Sequence, residues 1–119
     1  MSKINSFQDL DCWKNARKLA VAIYQLKGEI NKDYGLRDQL RRASISIMNN
    51  IAEGYGRFSN KEKIRYLEIA QSSTNEVQSM LFILEDLSYL ELTETQHLRD
   101  LATTTQKQTW GLIKYLRNN

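Results

Sequence analysis

Residues Gln39–Arg57 read QLRRASISIMNNIAEGYGR, and the spacing of their apolar side chains decides the fold. Leu40, Ala43, Ile47 and Gly54 recur on one line, with Leu36 ahead of them and Asn50 in the same register. Steps of three and four make one stripe of an α-helix, predicted over 36–55. Asn50 is expected to be buried on that stripe, where its amide needs a partner, and to bond across to another helix and fix register. Gly54 and Gly56 are read as the stop, since glycine reaches the left-handed conformation that closes many helices. Glu53 and Arg57 are spaced for an ion pair within the helix end. The alternative for this corner is a recognition site, with Arg57 meeting phosphate or a partner carboxylate.

Upstream, Cys12, Ala16, Leu19, Ile23, Leu26 and Ile30 form another helical stripe, widened by Trp13, Ala20 and Tyr24. Asp9 is the expected cap, Phe7 is expected to pack on the first turn, and 31–35 is expected to reverse the chain. Downstream, Ser59 and Glu62 form a Ser-x-x-Glu capping box that opens a third helix running to about Tyr89. That helix carries two stripes: Leu67, Ala70, Thr74, Val77, Leu81 and Leu84, then Tyr66, Ile69, Ser73, Glu76, Met80, Ile83 and Leu87. So wide a face is either central in its own bundle or met by another subunit. Thr93 and Gln96 are read as the looser box of a fourth helix, whose polar middle (103–109) must be held by packing or lie at an interface. No strand pattern or repeat is present. Long helices joined by short connections make an all-α, antiparallel up-down-up-down four-helix bundle, one domain over 1–119.

The composition agrees with that class. The chain has 119 residues, 41% hydrophobic and 26% charged, with no proline and five glycines, which excludes a disordered segment and leaves room for one domain. The net charge of +3 permits anionic partners, although the bases are mostly interspersed with acids. Assembly of identical subunits would multiply that charge. Cys12 is the sole cysteine, so one chain forms neither a disulfide nor a thiolate cluster, and a reducing, cytoplasmic setting is expected. Residues 1–15 lack the features of a secretion signal, and no apolar run is long enough for a membrane span; a soluble protein without membrane contact is expected.

Each candidate site in the sequence also has a plainer role. Arg37, Arg41 and Arg42 open the second helix and suit phosphate or carboxylate equally; pairing within or between subunits is the plainer reading. Lys14, Arg17 and Lys18, with Lys107, Lys114 and Arg117, extend a basic surface. Glu76 and Ser73 sit on the broad third-helix face, where Arg41 or Arg42 is the expected partner that makes a buried carboxylate tolerable. Glu94 and His97 imitate one half of a di-iron motif, but the chain has a single histidine, and a solvated first turn explains them. Cys12 with His97 lacks a third group to orient it. Trp13, Tyr24, Tyr66 and Trp110 suit base stacking but are read as core or interface anchors. Gly54-Tyr55-Gly56 lacks the strand and lysine of a phosphate loop. No enzyme, cofactor, metal or small-molecule substrate is expected.

Several of these segments carry a family resemblance covering nearly the whole chain. Phe7, Asp9, Leu10 and Trp13 belong to it, as do Tyr34, Gly35, Leu36, Gln39, Leu40, Arg41, Arg42 and Ala43. Asn50 through Gly54, Gly56 and Arg57 continue it, followed by Leu67, Ile69, Ala70, Ser73 and Glu76. In these the sequence resembles the four-helix-bundle proteins encoded in intervening sequences of bacterial 23S ribosomal RNA genes. It departs from them at Ser72 and Val77, where the family commonly has glycine and leucine. The resemblance implies a left-handed up-and-down bundle, often a homopentamer, with no established enzymatic activity. The accessory proteins of diversity-generating retroelements are similar in fold and are associated with reverse transcriptase and nucleic acid. The expected function is a homo-oligomeric scaffold of five chains presenting a repeated surface to macromolecular partners; RNA binding or a ribonucleoprotein accessory role is the alternative.

Overall fold

The computed structural model describes residues 4–119, and among them the only regular elements are helical. Four α-helices follow one another: α1 (Asp11–Tyr24), α2 (Tyr34–Tyr55), α3 (Asn60–Asp86) and α4 (Leu92–Arg117). Each packs chiefly against two neighbours, α1 on α2 and α4, and α3 on the same two, so α1 and α3 stand diagonally across a four-cornered bundle. The second helix meets the third through Gly54 with Lys63 and Tyr66, Ser46 with Ser73, and Asp33 with Tyr89. The third meets the fourth through Asn60 with Leu116, Gln71 with Gln106, and Gln78 with Thr103. Residue numbers therefore rise along one helix as they fall along its neighbour.

The stripes read from the sequence make the core. Leu19, Leu40, Ile47, Ile51, Leu67, Leu81, Leu84, Leu98 and Ile113 are all essentially inaccessible to solvent. Truncating any one of them to alanine removes buried methyl groups and leaves a cavity, at a cost of about 2–5 kcal/mol. The polar middle of α4 enters this core without orphaning its hydroxyls. Thr105 and Thr109 donate to the carbonyls of Leu101 and Thr105 one turn back, at 2.8 and 2.7 Å, and Thr74 does the same to Ala70 on α3. Outside them, Gln71 donates to the Gln106 carbonyl and Gln106 to Asn75 Oδ1, so packing and cross-helix amides hold a segment of modest helix propensity.

Helix ends depart from the sequence expectations in instructive ways. Asp9 does not open α1; its carboxylate accepts from the Asn5 and Ser6 amides and caps a 3-10 turn, Phe7–Asp9, after which α1 begins at Asp11. Phe7 still packs edge-on against Trp13, centroids 5.1 Å apart. The first helix stops at Tyr24, so Leu26 and Ile30 are not on it. Gly28, at φ +94°, turns the chain into a second 3-10 turn, Glu29–Lys32, and that turn buries Ile30. Asp33 caps α2 by accepting the Leu36 amide.

Ser59 caps α3 by accepting the Glu62 amide at 3.1 Å, but the Glu62 carboxylate turns to Arg65, so only half of the reciprocal box forms. The third helix ends at Asp86 with Ser88 in the left-handed conformation, φ +57°. The Ser88 amide bonds the Glu85 carbonyl and the Tyr89 amide the Leu84 carbonyl, the paired closure of a Schellman motif with serine where glycine is usual. Thr93 lies inside α4, not at its cap. Glu91 precedes the helix, and Gln96 bonds Asp100.

Candidate functional site

The segment Gln39–Arg57 places its unusual ending at a close helix crossing. Gly54 is buried within α2, and a Cβ there would lie 3.1 Å from the Lys63 carbonyl oxygen and 3.2 Å from the Tyr66 Cβ. Gly56 follows the helix with a right-handed φ of −80°. Neither glycine closes the helix in the left-handed conformation; Gly54 instead lets two backbones approach. Arg57 donates to Glu53 at 3.0 Å and to the Tyr66 hydroxyl at 2.8 Å, and stacks over the Tyr66 ring. Its guanidinium thus clips the end of α2 to α3.

Between α2 and α3 runs an open polar groove of about 470 Å³, lined by Gln39, Arg42, Ser46, Ser73 and Glu76. Ser46 and Ser73 bridge the helices with hydroxyls 2.8 Å apart. Asn50 is half-buried and donates to the carbonyl and hydroxyl of Ser46 in its own helix; it does not cross to another. Register across this pair rests on the serines, with Asn50 orienting one of them. Glu76 is exposed, and among the described residues it has no ion pair with Arg41, Arg42 or any other cation. The groove edge is solvated, so its carboxylate needs no buried partner. Ser72, at the place where the family commonly has glycine, is exposed and free of close packing demands.

The arginines of α2 divide in role. Arg37 bonds Asp38 and the Asn31 carbonyl and stacks on Tyr34, and Arg41 reaches the Tyr24 carbonyl while lying over the Tyr24 ring. Both brace the start of α2. Arg42 is exposed and faces the groove.

Two apolar surfaces are left open. On the α2 flank of α3, Ile69, Ile83 and Leu87 remain 38–46% exposed, while their stripe companion Met80 is buried. Between α1 and α2, Val21, Tyr24, Ile45 and Met48 line a shallow depression of about 410 Å³. The second surface was not legible from one helix, because it is made by flank residues of two.

On the outer side of α1, Lys14, Arg17 and Lys18 are all exposed and line one depression together with Gln8 and Gln25. Arg17 lies over the buried Trp13 ring. Lys114 and Arg117 stack on the part-exposed Trp110, and Arg117 also reaches Glu68 at 3.5 Å.

The remaining candidates separate. Glu94 and His97 are exposed on the first turns of α4, and no metal-ligating cluster occurs among the described residues. Cys12 is buried beside Thr109, and burial pushes its thiol up, which makes it a packing residue with little thiolate. An ion pair that the sequence did not announce joins Glu85 of α3 to Arg99 of α4, with Arg99 stacked on Phe82. The hydrogen bond from Arg99 holds the Glu85 carboxyl below its usual range. Tyr89 donates to Asp33 at 3.1 Å, and that bond raises its phenol.

The fold and its surfaces define a small all-α four-helix-bundle protein whose polar features are open grooves and patches. The chain belongs to the 23S rRNA-intervening sequence protein family, whose pattern matches residues 8–111. It is also similar to a crystal structure, at 1.70 Å, of a protein with unknown function from the S23 ribosomal protein family of Bacteroides thetaiotaomicron. The two share 25% identity at a TM-score of 0.80, over 87% of this chain and 98% of the other. No curated protein matches the chain. No described helix is long and apolar enough to cross a membrane.

Proposed function

We propose that this protein is a non-enzymatic scaffold: an antiparallel up-down-up-down bundle that assembles into a homo-oligomer, a ring of five, and presents a repeated surface to macromolecular partners in the cytoplasm. The observation that carries the reading is the set of apolar side chains left open on one flank of α3, Ile83 and Leu87 at one end and Ile69 beyond the polar Ser73 and Glu76. Isolated exposed apolar residues are ordinary, but an aligned set on one helix flank is what a subunit contact covers. A closed ring joins two different faces of the subunit, and the depression of Val21, Tyr24, Ile45 and Met48 supplies the second.

Light scattering on size-separated protein tests this. The expected particle contains five chains of 13.9 kDa, and Ile83→Glu or Ile45→Glu alone should dissociate it by placing a charge in an apolar contact. A monomeric wild type overturns the assembly, and variants that stay assembled overturn these faces.

A second reading, an RNA-binding or ribonucleoprotein accessory role, is favoured by one observation: Lys14, Arg17 and Lys18 are exposed together on α1 without a carboxylate partner among the described residues.

A further inference from the structure

We infer that the outer face of α1, continued onto the C-terminal half of α4, is a docking surface for the phosphate backbone of a nucleic-acid duplex; the inference rests on the second reading above and gives it a place and a mode. The charge is concentrated there. Lys14, Arg17 and Lys18 less Asp11 give α1 +2 of the chain's +3. No Asp or Glu lines the depression that holds the three bases.

The fourth helix extends the patch. Asn15 Nδ2 donates to Gln108 Oε1 at 2.8 Å, stitching α1 to α4, and Lys14 and Lys107 immediately precede the two members of that bond. Lys18 lies one turn along from Lys14, and Lys107 and Lys114 are exposed two turns apart on α4. None of these four lysines has an ion pair among the described residues. Elsewhere Lys32, Arg37, Arg57, Arg65 and Arg99 each hold a carboxylate of the chain. Lys27, Arg42, Lys61 and Lys63, which hold none among the described residues, are spread over the loop after α1, α2 and the start of α3.

The face also says how it would read a nucleic acid. Splayed single strands need aromatic platforms on which bases stack. Here Trp13 is buried with Arg17 above it, and Trp110 is already covered by Lys114 and Arg117. Of the exposed rings on this half of α4, Trp110 lies under the two cations and Tyr115 stands open. One open ring is no platform for successive bases, and the ammonium groups meet phosphates without reading bases, which suits the continuous backbone of a duplex. The face borders the apolar depression of the proposed assembly, with which it shares Arg17, Val21 and Gln25, while Lys14 and Lys18 line only the basic depression.

Fluorescence anisotropy with labelled 20-base-pair RNA and DNA duplexes, across a salt series, tests the inference on the full chain. Lys14→Glu with Lys18→Glu should weaken duplex binding tenfold or more and flatten the log-log salt slope by about 2, roughly one unit for each phosphate contact removed. The control, Lys32→Glu with Arg42→Glu, makes the same charge change away from both α1 and the C-terminal half of α4 and should retain most of the binding. Circular dichroism establishes that both variants are folded. Equal loss in the two variants, or none in the α1 variant, overturns the surface while leaving nucleic-acid binding in place. Absence of duplex binding at low salt overturns both. Tighter binding to the matched single strand overturns the duplex mode, and equal affinity for polyglutamate or for vesicles of anionic lipid overturns a nucleic-acid partner.

Discussion

Replacing Gly54 with alanine should destabilise the bundle, although the same substitution helps most exposed helix positions. Two terms oppose each other. Alanine in a helix interior is favoured over glycine by about 1 kcal/mol, because it has less backbone freedom to lose on folding. Against that, the new Cβ would stand 3.1 Å from a backbone oxygen of α3 and 3.2 Å from the Tyr66 Cβ. Neither neighbour is the free end of a flexible side chain, so relief requires α2 and α3 to separate along a packed seam. Overpacking of that kind costs about 1–3 kcal/mol, which leaves a net loss of about 1 kcal/mol. Gly111 provides the matched control: it is exposed on α4, and a Cβ there meets nothing within 4 Å. Gly111→Ala should therefore gain about 0.5–1 kcal/mol. Urea unfolding at one fixed protein concentration measures both, because the assembly proposed above would make stability depend on concentration. A stabilising Gly54→Ala of the same size as Gly111→Ala would refute the claim that Gly54 is there for close helix approach.

Two further outcomes follow from helix ends. Ser88→Gly should raise stability by about 0.5–1 kcal/mol, because Ser88 holds a left-handed φ of +57° that glycine adopts without a Cβ penalty; an unchanged thermal midpoint would show that this turn is unstrained. Glu85 makes an acid-sensitive contact. Its carboxyl is held below the ordinary value of 4.5 by Arg99, so the contribution is complete above that value and is lost as pH falls through the lowered folded one. Urea midpoints at pH 7 and pH 3 should therefore fall further for the wild type than for Glu85→Gln, and equal drops would contradict the assignment.

Legibility differs between kinds of residue for physical reasons. The stripes were readable because burial on a helix imposes a period, and Leu40, Ile47, Leu67, Val77 and Ile113 are buried as that period requires. Ser59 was readable because its cap is local, three residues to the Glu62 amide. Asp9 and Thr93 offered equally good local caps, yet the chain starts those helices elsewhere. A cap residue contributes about 1 kcal/mol, less than seating one large core side chain, so packing chooses the boundary. Ile30 shows the converse: its burial was correctly placed, but a 3-10 turn after Gly28 delivers it instead of a continued α1. Gly54 depends on the neighbouring helix, whose distance no single-helix pattern contains, and Asn50 finds its partner Ser46 one turn back on its own helix instead of across the seam. The same is true of the Val21–Met48 depression and the Glu85–Arg99 pair, each assembled from two helices.

That dependence on neighbours bears on why the candidate site is a surface and not a segment. In Gln39–Arg57, the residues that looked most chemical are consumed in holding the bundle: Arg57 by Glu53 and Tyr66, Arg41 by Tyr24, Asn50 by Ser46. A guanidinium already stacked and hydrogen-bonded must break those contacts to meet a partner, and its net affinity falls by their worth. The lysines of α1 and α4 carry no such debt in ion pairs, yet they look ordinary in sequence because helical spacing scatters them. Clustering unpaired positive charge on one face raises self-repulsion in the folded chain. In the proposed ring that cost would recur at every subunit, and weak phosphate contacts would also repeat and combine as linked binding events. Assembly through α3 and polyanion capture through α1 would therefore be coupled in that ring: a contact of few charges per chain would gain useful avidity if the bundle presented it many times.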